Sequence, residues 1–146
     1  MIVGIVGSEE AKFTELGASE ARRILRSIID DPSVTEVVSG KCHLGGIDIW
    51  AIDIAKNLGI ATTEFVPERL SWEFFKKRNL LIAERSDIVY CITVNELPPD
   101  FKGMRFDYCY HCGKDSLPHV KSGGCWTLKQ AILRGKHGTL RIVRNF

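Results

Sequence analysis

The chain has 146 residues, of which 45% are hydrophobic and 26% are charged, with 20 Lys and Arg against 18 Asp and Glu. This composition is typical of one soluble globular domain and argues against a disordered chain. No apolar run approaches the roughly 18 residues that would indicate a membrane-spanning helix. A formal net charge of +2 is too small to indicate nucleic-acid binding by itself.

The N-terminus and the cysteines lead us to expect a cytoplasmic protein. The opening MIVGIVGS has no basic leader, so it predicts a first strand and not a signal peptide. Five cysteines are an odd number, which favours reduced thiols or a metal site over a disulfide framework. The oligomeric state stays open, and a homo-oligomer is compatible with the sequence.

Short apolar runs alternate with helical patterns along the chain. The predicted strands are 2–6, 34–38, 60–66, 87–93 and 139–143, and the predicted helices are 16–29, 47–58, one beginning after Ser71, and 124–134. This alternation is typical of a parallel sheet with helices on both faces. We therefore predict an α/β fold, a Rossmann-like three-layer sandwich with a five-stranded, mainly parallel sheet.

One long segment interrupts this alternation. Residues at about 94–121 show no period and contain several Pro and Gly residues. A loop of this length in a compact domain is usually functional or held in place by another interaction. We predict that residues 1–146 form a single domain, with this Cys- and His-containing segment as an insertion.

Polar and glycine-rich turns are predicted to meet at one edge of the sheet. The turns at Gly7-Ser8 and 39–48 follow strands, and Ser122-Gly123-Gly124 precedes the last helix. Parallel α/β sheets bind ligands at the carboxyl ends of their strands. Free N–H groups at a glycine-rich helix N-terminus suit an oxyanion, although two glycines before a helix also occur in plain turns.

A group of cysteines and histidines suggests a metal site in the insertion. Cys109 and Cys112 form a CxxC pair, and His119 and Cys125 follow at short spacing. A Cys₃His set of this kind is typical of a closed structural zinc site, which can also stabilise a long irregular loop. His111 can take the place of His119. A redox CxxC pair and plain reduced cysteines remain alternatives.

Three motifs in order carry a resemblance to a known family. SGxxxxGGID follows the second strand, RNxxIAxxSD leads into the fourth, and SGGxxT opens the last helix. Together they resemble the SLOG superfamily of Rossmann-like proteins, which includes DNA-processing proteins and the Lonely Guy phosphoribohydrolases. The resemblance covers almost the whole chain outside the insertion. It implies a nucleotide or a nucleotide-derived phosphorylated ligand at the strand edge.

The resemblance also implies which residues face that ligand. Arg78 and Asn79 belong to the second motif, and they fall on the inward face of the third helix, where a charged residue needs a partner or a ligand. With the residues that end the first two strands, the predicted ligand-binding set is Gly7, Ser8, Ser39, Gly40, Gly45, Gly46, Asp48, Arg78, Asn79, Ser122, Gly123, Gly124 and Thr127.

The chain departs from the hydrolase branch of that family at one important position. Where the family pattern PGGxGTxxE has a glutamate, this chain has Gln130, which can neither take up a proton nor stabilise an oxocarbenium-like transition state. Ligand binding or sensing is therefore the leading prediction, and whether the protein is an enzyme stays open. The alternative is a phosphoribohydrolase or another nucleotide-metabolite hydrolase, with Asp48 or Asp115 as a substitute acid. Trp126, in place of a family glycine, is expected to stack on a base.

Overall fold

The computed structural model describes all 146 residues, and they form five strands and four helices around one sheet. The strands are β1 Ile2–Gly7, β2 Glu36–Gly40, β3 Ala61–Phe65, β4 Ile88–Val94 and β5 His137–Val143, and the helices are α1 Glu15–Ile29, α2 Ile47–Asn57, α3 Trp72–Arg85 and α4 Gly123–Leu133. All neighbouring strands are parallel, in the order β3-β2-β1-β4-β5. The predicted Rossmann-like α/β fold is confirmed, and the sheet is wholly parallel.

Two predicted strand starts differ from the observed ones by two residues, and the other three agree to within one residue. The second strand begins at Glu36, after the turn at Pro32 and Ser33. The last strand begins at His137, which pairs with Ile88 of β4. The apolar pattern of that strand starts later than its backbone ladder, so hydrophobicity alone places its beginning too late.

The two faces of the sheet pack against different helix pairs. Side chains alternate along β1, so that Val3 and Ile5 contact the layer of α1 and α2, whereas Val6 contacts the layer of α3 and α4. The first layer contributes residues such as Leu25 and Ala51 to its core, and both are fully buried. This arrangement gives the three-layer sandwich.

The strand order creates a crevice between the carboxyl ends of β1 and β4. The chain continues from β1 toward β2 on one side and from β4 toward β5 on the other, which is the usual ligand position in such sheets. Helix α4 begins close to this crevice. A Cβ at Gly124 would lie 2.9 Å from the Gly7 nitrogen, so the two glycines allow helix and strand backbones to approach.

The segment between β4 and α4 contains turns but neither a helix nor a strand. Its end is tied to the sheet, because the Val120 N–H donates to the Val94 carbonyl (2.8 Å) and the Thr93 hydroxyl donates to the Val120 carbonyl (3.0 Å). The Ser8 hydroxyl contacts Thr93 Oγ1 at 2.9 Å and extends this chain of bonds to β1. None of the helices is both long and apolar enough to span a membrane.

Candidate ligand pocket and metal cluster

A cavity of about 170 Å³ opens at the crevice between β1 and the start of α4. Many of the predicted ligand residues, which are far apart in the sequence, line its wall. They are Gly7, Ser8, Asp48, Arg78, Asn79, Ser122, Gly123, Gly124 and Thr127. The structure thus brings these residues together at the predicted edge of the sheet, while ligand binding by them stays a prediction.

The other four predicted ligand residues lie behind this wall. The Ser39 hydroxyl donates to the Ile5 carbonyl inside the sheet. Gly40 lies between Arg78 and Asp48, where a Cβ would collide with the guanidinium. Gly45 and Gly46 both have positive φ angles, 74° and 91°, in the turn that packs α2 against the end of β1. These residues shape the cavity without lining it.

The N-terminus of α4 presents unpaired donors to the cavity. Ser122 caps the helix, and its side chain accepts a hydrogen bond from the Gly124 N–H at 3.2 Å. The Gly123 N–H makes no hydrogen bond within the protein. Thr127 is fully buried, and its hydroxyl has no partner. Because an unpaired buried polar group costs about 1–3 kcal/mol, these groups point to a partner outside the chain.

Three cationic side chains, Lys12, Lys41 and Arg78, line the same cavity. Arg78 is positioned by bonds from its Nε to Asn79 Oδ1 (2.7 Å) and from its Nη1 to the Phe65 carbonyl (3.2 Å), which leaves further N–H groups free. Lys12 donates to the Lys121 carbonyl at 3.0 Å. Burial lowers the pKa of Lys12, although Glu9 nearby opposes this effect.

Lys12 was absent from the residues predicted from sequence. It lies in a short 3-10 helix, Glu10–Lys12, directly after β1, in a polar stretch without a helical or strand period. The only signal for it was its position after the first strand of a parallel sheet, where ligands commonly bind.

Among the carboxyl groups of the cavity, Asp48 has the pKa that departs most from its ordinary value. It is 8% exposed, and burial raises its pKa to about 7, while Arg78 opposes the shift. A carboxyl that exchanges a proton near neutral pH is suited to acid–base chemistry. Asp115, the other predicted substitute acid, is exposed and does not line the cavity. Gln130 also lies outside it, and its Oε1 accepts from Arg134 at 3.0 Å.

The four predicted metal ligands converge in the structure. The ligand atoms of Cys109, Cys112, His119 and Cys125 all lie within 4.8 Å of one another. Cys125 Sγ is 3.7 Å from His119 Nε2, close to the separation of about 3.6 Å that tetrahedral Zn–S and Zn–N bond lengths imply. The chain therefore contains a buried Cys₃His cluster with the dimensions of a metal site.

Hydrogen bonds to the backbone position these side chains. The Cys112 and Gly113 N–H groups both bond to the Cys109 carbonyl, at 3.1 and 2.9 Å, and form the turn of the CxxC pair. The Leu117 carbonyl can only accept, so His119 Nδ1 carries the proton there and Nε2 faces the sulfurs. A second hydrogen bond of this kind commonly fixes the orientation and tautomer of a metal-bound histidine.

The sulfur of Cys109 is stabilised as a thiolate. The pKa of Cys109 is lowered by hydrogen bonds from the Cys125 thiol and from the backbone N–H groups of Ser122, Cys112 and His111, against the opposing effect of burial. The thiolate is the form that binds a metal. Cys125, another member of the cluster, lies in the first turn of α4, so the cluster and the cavity share a structural element.

The remaining candidates lie outside the cluster. The His111 ring packs against Trp72 and Tyr110 with ring centroids 5.6 and 4.5 Å apart, and its buried Nε2 has no partner. Cys91 is buried in β4, with its sulfur 3.8 Å from that of Cys125. Cys42 lines the cavity instead. The arrangement thus uses His119 and not His111.

Comparison with known proteins adds a structural relative. No protein-family model matches the chain, and no curated protein matches it in sequence. The structure is similar to that of the molybdenum cofactor carrier protein MCP from Chlamydomonas reinhardtii, with a TM-score of 0.60 and 16% identity, over 95% of this chain and 74% of that chain. At this identity the similarity shows a shared Rossmann-like fold, and membership of the SLOG superfamily stays a prediction.

Proposed function

We propose that this protein binds a small phosphorylated ligand of the nucleotide class and acts as its carrier or sensor. The ligand's phosphate lies at the N-terminus of α4. The observation that carries this proposal is the unpaired, fully buried hydroxyl of Thr127 in the cavity wall. The free Gly123 N–H lies one helical turn before it, and both groups need an acceptor such as a phosphate oxygen.

The charges of the cavity favour an anion. Arg78, Lys12 and Lys41 supply positive charge to the cavity, whose wall also contains the positive end of the α4 dipole, and Glu9, which lies 3.9 Å from Lys12, offsets part of this charge. Asp48 opposes this only when it is ionised, and its raised pKa keeps it largely protonated below about pH 7. The cavity volume of about 170 Å³ is smaller than typical sites for drug-sized ligands, so it suits the phosphate end of a larger molecule.

A small-molecule ligand also agrees with the structural comparison. The similar solved protein is a cofactor carrier, and carrying requires a binding site without the need for catalysis. The nucleotide class of the ligand rests on the three sequence motifs.

We further propose that the Cys₃His cluster binds a structural zinc ion. Four protein donors converge and leave no open position, as in structural sites. A redox CxxC pair would need only Cys109 and Cys112, and it does not account for the oriented His119. Zinc would connect the irregular segment to α4 through Cys125. Protein purified without chelators should contain about one zinc per chain by elemental analysis, and metal-free, fully folded protein would reject this assignment.

Calorimetric titration tests the ligand proposal. Inorganic phosphate, ribose 5-phosphate and 5′-mononucleotides are titrated into the wild type, Arg78→Gln and the control Arg26→Gln, an exposed arginine on α1. At least one phosphorylated probe should bind to the wild type. Arg78→Gln should weaken that binding at least about tenfold, as expected for a charge-assisted hydrogen bond, and the control should bind normally. Absence of binding by every probe would refute the proposal.

A second candidate function is a nucleotide-metabolite hydrolase that uses Asp48 as its acid or base. The observation that favours it is the Asp48 pKa of about 7 inside the cavity, although the family's glutamate is replaced by Gln130. Chromatography of 5′-mononucleotides incubated with the protein tests it. Release of the free base that is lost in Asp48→Asn would support hydrolysis, and absence of release by the wild type would exclude this reaction.

A further inference from the structure

We infer that the cavity takes a phosphate that is joined to a planar aromatic ring, and that Trp72 provides the face on which this ring stacks. The inference rests on the proposed function and specifies the other half of the ligand. An aromatic wall, formed by Trp72, Phe75 and His43, lines the cavity that also contains the anion-binding N-terminus of α4.

The aromatic wall lies directly beside the anion-binding turn. Trp72 is the first residue of α3, and its ring carbon Cζ3 lies 3.6 Å from the position that a Cβ of Gly123 would occupy. Phe75 follows almost one turn later, and the His43 ring stacks on it with centroids 6.2 Å apart and an angle of 24°. A phosphate bound at the Gly123 N–H therefore has an aromatic surface within reach of its substituent.

Trp72 is held by two aromatic contacts and is still partly exposed. It is 41% exposed, while Trp126 packs in a T-shaped contact with it at 5.7 Å and His111 contacts it at 5.6 Å. A large apolar side chain that is held by ring contacts and partly exposed in a cavity wall is organised for stacking before any ligand arrives. The sequence predicts that Trp126 stacks on a base. In the structure Trp126 does not line the cavity and packs against Trp72 instead.

Arg78 adds a cation beside the aromatic wall. Its guanidinium carbon lies 5.8 Å from the Phe75 ring centroid, and the same side chain lines the cavity. A guanidinium can contact a phosphate through its N–H groups and an aromatic ring through its face. A sugar phosphate without a ring would engage the anion end alone, so its affinity should be lower than that of a ring-bearing phosphate.

The test separates the contribution of the ring from that of the phosphate. Affinities for ribose 5-phosphate and for four 5′-mononucleotides are measured by calorimetry in the wild type, Trp72→Ala and Trp72→Phe. The matched control is Tyr108→Ala, because Tyr108 is 40% exposed and lies outside this cavity. Circular dichroism and zinc content confirm that each variant remains folded.

At least one mononucleotide should bind to the wild type at least about fivefold more tightly than ribose 5-phosphate, the lower bound for stacking on an aromatic side chain. Trp72→Ala should bring this affinity ratio close to one, because it weakens mononucleotide binding and leaves ribose 5-phosphate binding nearly unchanged. Trp72→Phe should keep part of the ratio, and Tyr108→Ala should keep all of it.

Two results would overturn the inference and leave the proposed function standing. They are equal wild-type affinities for ribose 5-phosphate and every mononucleotide, and an equal loss for both probe types in Trp72→Ala. If Trp72→Ala does not fold, the wild-type ratio and Trp72→Phe decide the question. Failure of all phosphorylated probes to bind would instead refute the proposed function, and the inference with it.

Discussion

Replacement of Asp48 by asparagine should remove a specific pH dependence from the stability of the protein. Asp48→Asn keeps the size of the side chain and removes its ability to ionise. Asp48 is buried at the start of α2, and burial raises its pKa from the ordinary 3.8 to about 7 against the opposing effect of Arg78. The native state therefore holds a proton that the unfolded chain releases at much lower pH.

The sign and size of the effect follow from this difference. Between pH 3.8 and about 7 the unfolded state binds one proton fewer at this residue, so the free energy of unfolding falls as the pH rises. The slope is about 1.4 kcal/mol per pH unit. From pH 5 to 7 the wild type should lose about 2 kcal/mol relative to Asp48→Asn, because the slope decreases as the pH nears the native pKa, and above about pH 8 the difference should level off because both states are ionised.

Urea denaturation at pH 5, 6, 7 and 8 measures this difference directly. Asp53→Asn is the matched control, because Asp53 lies on the exposed side of the same helix, and its profile should remain parallel to that of the wild type. Any pH dependence of metal binding is common to all three proteins and cancels in the comparison. A constant difference between wild type and Asp48→Asn would show that Asp48 is already ionised at pH 5 in the native protein, and the reasoning would be wrong.

Three further changes test other parts of the structure. Thr127→Val replaces an unpaired buried hydroxyl with a methyl group, so it should raise the stability of ligand-free protein by about 1 kcal/mol and weaken phosphate binding; a loss of stability in urea would contradict this. Gly124→Ala places a Cβ against the Gly7 backbone and should lower the free energy of unfolding by about 1–3 kcal/mol. Its control is Gly59→Ala, whose Cβ meets no atom, so that this variant measures only the backbone strain of a positive φ. Cys112→Ser should reduce the zinc content and make residues 95–121 sensitive to protease, and unchanged zinc with unchanged proteolysis would exclude Cys112 as a ligand.

The sequence predicted the fold well because the fold depends on local patterns. Strands that are buried on both faces appear as apolar runs, and α1 shows its buried stripe at three-and-four spacing. The shared edge of the sheet then follows from parallel topology alone. This is why residues as distant as Ser8 and Thr127 were correctly expected to lie near each other.

The remaining parts of the site depend on side-chain packing that no local pattern reveals. The sequence could not separate glycines that line the cavity, such as Gly123, from those behind its wall, such as Gly40. The sequence gives no signal for Trp72, because its place in the cavity wall depends on the contact between the beginnings of α3 and α4, which are far apart in the sequence. The sequence could not separate His119, which joins the cluster, from His111, whose ring packs against Trp72 and Tyr110, because only the folded turns place the two rings.

Ser122, the capping residue of α4, contacts both a member of the Cys₃His cluster and the first turn of the helix at the cavity. The Ser122 carbonyl accepts from the N–H of Cys125 at 3.1 Å, and Cys125 is one of the four converging ligands, while the Ser122 hydroxyl accepts from the Gly124 N–H in the first turn of α4. If metal binding orders this turn, a ligand that needs the same order binds more tightly to metal-loaded protein. Linkage then requires the reverse with the same factor: the ligand raises the affinity of the cluster for the metal, so each occupant strengthens the binding of the other.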